Sequence, residues 1–215
     1  MIRTSKQADE RFEAGSFECW CLHGAVGMAS GFREFAQRLV ERKTGSRAVD
    51  LWRFLESGGL SMERFGSALN SEAGGETFRG SGRGLLGYSM GGRLALHALL
   101  EKKHPWAAAV IVSAHPGLQD ASEREARRAL DAAWARKAML GNWQEFLSGW
   151  DSQAVLAGSA VRDPQLAHRM AHHRSEIARS FVDWSLAAQD PLWDRLEEIR
   201  VPVLWVAGEN DSKFL

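Results

Sequence analysis

The strongest chemical signal in the sequence is a serine between glycines, Gly87-Tyr88-Ser89-Met90-Gly91. A short apolar segment that predicts a strand precedes it, and an apolar helical pattern from Arg93 to Leu100 follows it. A G-x-S-x-G pattern between a strand and a helix is typical of a nucleophile elbow, a turn that exposes a serine hydroxyl at the carboxyl end of a sheet. The pattern therefore predicts Ser89 as a catalytic nucleophile, with an ordinary strand-to-helix turn as the alternative.

A serine nucleophile also needs N–H donors that stabilise a developing oxyanion. The backbone amide of Met90, at the start of the following helix, is the first predicted donor. The second is expected from the loop after the first strand, where the amide of Ala25 is the candidate. In the same loop, we expect His23 to shape the backbone rather than to catalyse.

The predicted relay of protons from the serine is incomplete. In this arrangement an acid follows a late strand and a histidine follows the acid. The apolar run Val201 to Ala207 predicts a buried strand, after which Asp211 is the candidate acid, with Glu209 as the competing carboxylate and a simple turn residue as the alternative. All seven histidines of the sequence precede that acid: His23, His97, His104, His115, His168, His172 and His173.

The elements that must position these residues alternate between strands and helices. Strands are predicted at Glu18–Leu22, Arg47–Leu51, Gly84–Tyr88, Ala107–Ser113 and Val201–Ala207, and such alternation predicts an α/β fold with a mostly parallel sheet and helices on both faces. The region from about 119 to 190 breaks the alternation with consecutive helices rich in tryptophan, which predicts a helical cap. We expect one domain over residues 1–215 that includes this cap.

Together with the serine motif, two further strings give the chain a family resemblance. His115-Pro116-Gly117-Leu118-Gln119 follows a predicted strand, and Gly208-Glu209-Asn210-Asp211-Ser212-Lys213-Phe214 lies at the end of the sequence. The chain resembles proteins of the α/β-hydrolase fold, in particular the 2-succinyl-6-hydroxy-2,4-cyclohexadiene-1-carboxylate synthases of menaquinone biosynthesis. The resemblance implies a carbon–oxygen lyase that eliminates pyruvate by means of a Ser-Asp-His triad. It also implies that this sequence lacks the last strand, the catalytic histidine and the last helix of the family.

The same resemblance implies a set of substrate-binding residues. Tyr88 and Trp150 would line the pocket, and three arginines would meet the carboxylates of the substrate. These arginines are Arg93, Arg127 and Arg169, with Arg174 as the alternative to the last.

Two of these arginines can also be judged from the sequence itself. Arg93 follows the serine by one helical turn, and a buried guanidinium there needs an anion, which is either a substrate carboxylate or a structural acid. For Arg127 the alternative is a surface pair with Glu123 at the i−4 position.

Composition limits the remaining possibilities. Basic and acidic residues balance at 27 each, which argues against a nucleic-acid or membrane partner bound through bulk charge. The two cysteines and the charged amino terminus favour a reduced cytoplasmic protein. We expect a small anionic substrate and neither a metal nor a cofactor. The alternative functions are a serine esterase or carbon–carbon bond hydrolase of the same fold, and a pseudoenzyme or binding module.

Overall fold

The computed structural model describes residues 17–78, 80–156 and 163–209. Five strands form one sheet: β1 (Phe17–Leu22), β2 (Thr44–Val49), β3 (Gly82–Tyr88), β4 (Trp106–Val112) and β5 (Val203–Val206). The strand order is β2-β1-β3-β4-β5, and each neighbouring pair is parallel. The predicted parallel α/β sheet is therefore confirmed, although the second strand ends two residues earlier than predicted.

Helices connect the strands and cover the sheet. The connecting helices are α1 (Arg33–Glu41), α2 (Met62–Gly75) and α3 (Met90–Leu99), and four more helices lie between β4 and β5: α4 (Ala121–Leu140), α5 (Trp143–Asp151), α6 (Pro164–Met170) and α7 (Arg174–Asp183). Short 3-10 turns occur at Ala29–Phe32, Trp52–Phe54, Ala154–Leu156, Ala171–His173 and Trp193–Glu198. The region predicted as a cap thus consists of consecutive helices inserted between two strands.

The centre of the sheet and helix α3 form the core beneath the site. Trp20, Leu22, Leu85 and Ile111 on the central strands are buried, as is every residue of α3. Burial of large apolar side chains is the main driving force for folding, so this packing holds the end of β3 and the start of α3 in a fixed relation. The junction between these two elements is the position of Ser89.

Strand β5 differs from its prediction as a buried strand. Leu204, Trp205 and Val206 are all exposed, with 61% of the Leu204 surface accessible. Within the described residues, β5 pairs only with β4 and so forms an edge of the sheet. The apolar sequence correctly indicated a strand, but burial depends on a neighbouring element that composition does not specify.

The tryptophans of the cap serve mainly as core residues. Trp134, Trp143 and Trp184 are buried, and Trp134 makes edge contacts with the rings of Phe146 and Trp150. The indole N–H of Trp143 donates to a backbone carbonyl of α6 at 2.9 Å, which joins α5 to α6. Aromatic packing of this kind fixes the cap helices against one another.

Candidate active site

The turn between β3 and α3 holds Ser89 in a strained backbone conformation. Its φ is +53° and its ψ is −114°, a combination rarely adopted by residues other than glycine. The Ser89 amide donates to the Val112 carbonyl at 2.8 Å, which joins the turn to β4. Within the described part of the chain, the Ser89 hydroxyl makes no hydrogen bond and faces a cavity.

The glycines on either side of the serine are required by close backbone approach. A Cβ atom at Gly87 would lie 2.6 Å from Cα of Gly92. A Cβ atom at Gly91 would lie 2.6 Å from the carbonyl oxygen of His23, on the loop after β1. Real Cβ atoms do not approach backbone atoms so closely, so the sharp turn accepts only glycine at these positions.

Both predicted oxyanion donors line the same cavity as Ser89. The Met90 amide is at the first position of α3, where a helix N–H has no intrahelical acceptor. Among the described residues, neither this amide nor that of Ala25 donates to a protein group. The two N–H groups are therefore available to a ligand, and their role in stabilising an oxyanion stays a prediction.

The loop that carries Ala25 is fixed by two buried rings. His23 Nε2 accepts a 3.4 Å hydrogen bond from the Leu51 amide, so its Nδ1 carries the proton and donates to the Gly24 carbonyl at 2.9 Å. Trp52 stacks at a tilt on this imidazole, and its indole N–H donates to the Gly27 carbonyl at 3.0 Å. Burial lowers the pKa of His23 to about 4, because the charged ring would lose its hydration. A neutral imidazole with a hydrogen bond at each ring nitrogen is suited to shaping the loop.

Two cavities meet at Trp150. The first, which we call the inner pocket, has a volume of about 70 Å³ and is lined by residues that include Ser89, Arg93, Arg127, Asp131 and Trp150. The second, the outer cleft, has a volume of about 890 Å³ and is lined by residues that include Phe32, Glu34, Tyr88, Trp150 and Asp151. On this measure of volume a cavity of about 10–15 Å³ admits one water molecule, so the inner pocket admits a small polar group such as a carboxylate.

Arg93 is buried at the inner pocket without an acidic partner. Its Nη2 donates to the Trp184 carbonyl at 2.7 Å, and its Nη1 donates to Gln189 Oε1 at 3.4 Å. Among the described residues, no carboxylate lies within salt-bridge distance of this guanidinium, so the predicted alternative of a structural acid is not found there. Burial and then the charge of Arg127 lower the pKa of Arg93 to about 9, at which the side chain is still cationic at neutral pH.

Arg127 lines the same pocket but has a counter-ion. Its Nε donates at 2.8 Å to Oδ2 of Asp131, which is one helical turn later on α4. The alternative of a surface pair with Glu123 is not found among the described contacts, because the carboxylate on the other side of Arg127 is the one that the fold buries. Arg93 and Arg127 thus bring two guanidinium groups to one cavity with Ser89.

Two other predicted arginines do not line either cavity. Arg169 lies half-buried on α6, away from the inner pocket. Its alternative, Arg174, donates to the carbonyls of Ala138 and Gly141 at 2.9 and 2.6 Å and covers the ring of Trp143. The structure therefore gives Arg174 a structural role at the end of α4, and substrate binding by Arg169 stays a prediction.

The acid and base of the relay are only partly described. Asp211 lies outside the described residues, and its competitor Glu209 is exposed and lines neither cavity. His115 lines the inner pocket, but its Nδ1 accepts a 3.1 Å hydrogen bond from the Gly117 amide. A neutral ring in this tautomer carries its proton on Nε2 and has no lone pair there to act as a base.

Sequence reasoning did not identify Asp131, Trp184, Ser185 or Gln189, although all four contact the pocket or its arginines. For Asp131, the i+4 spacing from Arg127 was an available signal. The other three lie after α7, and nothing in their local sequence indicates proximity to the serine.

Within the described ranges there is no group of three His, Cys, Asp or Glu residues placed to hold a metal ion. No helix in those ranges has the length and apolar character needed to span a membrane.

Comparison with known proteins identifies a matching family and related sequences. The model of the family described as serine aminopeptidase S33 matches residues 18–213. The 2-succinyl-6-hydroxy-2,4-cyclohexadiene-1-carboxylate synthase of Pectobacterium atrosepticum is 32% identical over 206 residues, which cover 90% of this chain and 78% of that protein. The corresponding synthase of Klebsiella pneumoniae is 34% identical over 132 residues, which cover 60% of this chain and 52% of that protein.

Solved structures show the same fold. MenH from S. aureus superimposes with a TM-score of 0.75 at 21% sequence identity, covering 94% of this chain and 78% of that chain. A thermophilic esterase from Thermogutta terrifontis superimposes with a TM-score of 0.64 at 17% identity, covering 91% of this chain and 72% of that chain. At these identities the likeness establishes the fold and not the reaction.

Proposed function

The chain belongs to the α/β-hydrolase family, alongside the 2-succinyl-6-hydroxy-2,4-cyclohexadiene-1-carboxylate synthases, and on that premise we propose that it catalyses their reaction. The proposed substrate is a cyclohexene intermediate with several carboxylates, from which pyruvate is eliminated. The proposed partner is therefore a small anionic molecule, and the proposed location is the cytoplasm.

One observation carries this proposal: a nucleophile elbow and two cationic side chains share one small pocket. A hydrolase for neutral esters needs the serine and the oxyanion donors but gains nothing from Arg93 and Arg127. Desolvated guanidinium groups are costly to bury, and a substrate carboxylate would offset this cost through charge-assisted hydrogen bonds. The pocket thus favours an anionic substrate over a neutral one.

In the proposed reaction, a base removes a proton from a ring carbon, and the electron pair of that bond forms a new double bond. The carbon–oxygen bond to the enolpyruvyl group breaks, and the released enolate takes up a proton to become pyruvate. Ser89 and Asp211 are assigned to the proton relay from the family resemblance. The amides of Ala25 and Met90 would stabilise the negative charge that develops on the substrate as the proton leaves.

A serine esterase or carbon–carbon bond hydrolase remains the competing function, and the outer cleft supports it. Among its described lining residues the charged side chains are carboxylates, so an apolar, uncharged acyl group would be accommodated there. A binding protein without catalysis is the second competitor, since no described histidine is hydrogen-bonded to Ser89.

The decisive experiment measures pyruvate release from the cyclohexene substrate by the protein as its native cells produce it. Replacing the serine, Ser89→Ala, is expected to lower kcat/KM by at least about a hundredfold, because the relay group is removed while the pocket is unchanged. Ser67→Ala, an exposed serine on α2, is the matched control and should retain the native rate.

Each competing function gives a different result in this experiment. Hydrolysis of a p-nitrophenyl ester without pyruvate release would favour the esterase. Binding of the substrate without turnover would favour the binding protein. Native turnover by Ser89→Ala would remove the serine from the mechanism.

A further inference from the structure

Asp131 is a buried carboxylate that the proposed reaction does not use. It lies on α4 with 2% of its surface exposed. Its Oδ2 accepts hydrogen bonds from Nε of Arg127 at 2.8 Å and from Oγ of Ser185 at 2.7 Å. Ser185 Oγ in turn accepts from the Ala187 amide at 2.9 Å, so the carboxylate is anchored to the segment that follows α7.

This anchoring determines which part of Arg127 is available to a ligand. Only the Nε–H of the guanidinium is engaged, and its terminal nitrogens make no hydrogen bond within the described part of the chain. The side chain lines the inner pocket together with Ser89 and Trp150. An arginine held at Nε presents its terminal N–H groups as a fixed fork, which matches the geometry of a carboxylate.

The same carboxylate sets the charge of the pocket. Among the described lining residues, Arg93 and Arg127 contribute two positive charges and Asp131 contributes one negative charge, which leaves a single unpaired positive charge. Arg93 has only neutral hydrogen-bond partners among the described residues: the Trp184 carbonyl, the Gln189 side chain and the Met62 sulfur. One surplus cation is complementary in charge to one carboxylate group.

We propose that Asp131 is a positioning residue that orients Arg127 toward the inner pocket and limits that pocket to a single substrate carboxylate. The inference rests on the proposed function only in that the substrate is anionic. Asp131 touches no reacting atom and acts through Arg127. Its hydrogen bonds and its charge have opposite effects on an anion, since the bonds hold the cation in place while the charge repels the ligand.

Two variants separate these effects because they carry the same charge. Asp131→Asn keeps an oxygen that accepts from Arg127 and Ser185, whereas Asp131→Ala removes it. The probe is succinamate, which has one carboxylate, and succinamide is its uncharged control. Binding is followed by tryptophan fluorescence, since Trp150 and Trp184 line the pocket. Circular dichroism and Tm establish that each variant is folded.

We expect Asp131→Asn to bind succinamate at least as tightly as the native protein does. Asp131→Ala should bind it at least about tenfold more weakly than Asp131→Asn, and this difference should vanish in an Arg127→Met background. Glu125→Ala, which removes an exposed acid of the same helix, should bind as the native protein does. Equal affinities for the Ala and Asn variants would overturn the positioning role, as would an equal difference in the Arg127→Met background.

If Asp131→Ala does not fold, Arg127→Lys tests the same inference, because lysine keeps the charge but has no Nε–H for Asp131 to hold. We expect a loss of about tenfold in succinamate affinity, and an unchanged affinity would overturn the proposal. Failure of the native protein to bind succinamate would overturn both this inference and the anionic substrate. Succinamate binding with the expected Ala–Asn difference, but without pyruvate release, would overturn only the proposed reaction.

Discussion

The inner pocket and the outer cleft differ in size and in charge although they share two lining residues, Ala25 and Trp150. The inner pocket, of about 70 Å³, holds the serine, two guanidinium groups and one buried carboxylate. The outer cleft, of about 890 Å³, is largely apolar and has exposed carboxylates at its rim, at Glu34, Asp151 and Asp163. The inner pocket therefore attracts an anion, whereas the outer cleft has room for a large apolar group and repels negative charge.

Trp150 belongs to both cavities and marks their boundary. Its ring is held by edge contacts with Trp134 and Phe181 at centroid distances of 5.2 Å, so it is a fixed wall. An anionic substrate that crosses this boundary gains the most when a carboxylate enters first. On the proposed function, we expect the difference between the cavities to orient the substrate as well as to select it.

The largest effect is expected when the unpaired cation of the inner pocket is removed. Arg93→Met keeps most of the side-chain volume but deletes the charge, and we expect kcat/KM for the anionic substrate to fall by about a hundredfold. Arg128→Met, an exposed arginine of α4, is the control and should leave kcat/KM unchanged. A native kcat/KM in Arg93→Met would contradict the claim that the charge of the inner pocket contributes to substrate recognition.

A second prediction concerns the loop after β1, whose Ala25 lines both cavities. The folded-state pKa of His23, about 4, is below the value of about 6.5 expected in an unfolded chain. Between these values the unfolded state binds the proton first, so the stabilisation is complete above about pH 6.5 and is lost as the pH falls toward 4. From pH 7.5 to 5.0, this histidine should contribute a decrease of about 2 kcal/mol in the free energy of unfolding.

Urea denaturation of the native protein and of His23→Asn at both pH values isolates this contribution. Burial also lowers the pKa of His97 on α3 to about 4, so that residue destabilises the protein at acid pH with the same sign and is present in both proteins. We expect the variant to be less stable at pH 7.5 and to show a smaller loss between the two pH values. Parallel losses in the two proteins would mean that His23 does not hold the loop in its neutral form.

The elbow could be predicted from sequence because its glycine pattern is local, although only one of the two glycines has a local cause. A Cβ at Gly87 would meet the backbone of Gly92 within the same turn, whereas a Cβ at Gly91 would meet the His23 carbonyl on the loop after β1. Helix α2 was missed although Ser61 caps it and Met62, Phe65, Leu69 and Ala73 follow a helical period. Its interior Gly66 lowers helix propensity, and the reason for that glycine is tertiary, since a Cβ there would lie 2.9 Å from the Ala98 amide nitrogen of α3.

The partner of Arg127 shows the same limit at the site. Glu123 and Asp131 are both one helical turn from this arginine, so the sequence of α4 alone does not distinguish them. The distinction comes from Ser185, which lies 54 residues beyond Asp131 in the chain. Its hydroxyl gives the Asp131 carboxylate a second hydrogen bond in a buried position. Long-range contacts of this kind also decide the exposure of β5 at the edge of the sheet.

The smallest expected effect concerns the rim of the outer cleft. Glu34→Gln and Asp163→Asn each remove one exposed negative charge from the path of an anionic substrate, and kcat/KM should rise by up to about threefold at low ionic strength. Exposed charges are screened beyond about 3 Å at 1 M salt, so the increase should disappear when kcat/KM is measured in high salt. Glu41→Gln, also exposed but at the last position of α1, serves as the control. If the rim variants match the native protein at low salt while Arg93→Met is impaired, the inner pocket alone selects the anion and the outer cleft contributes only space.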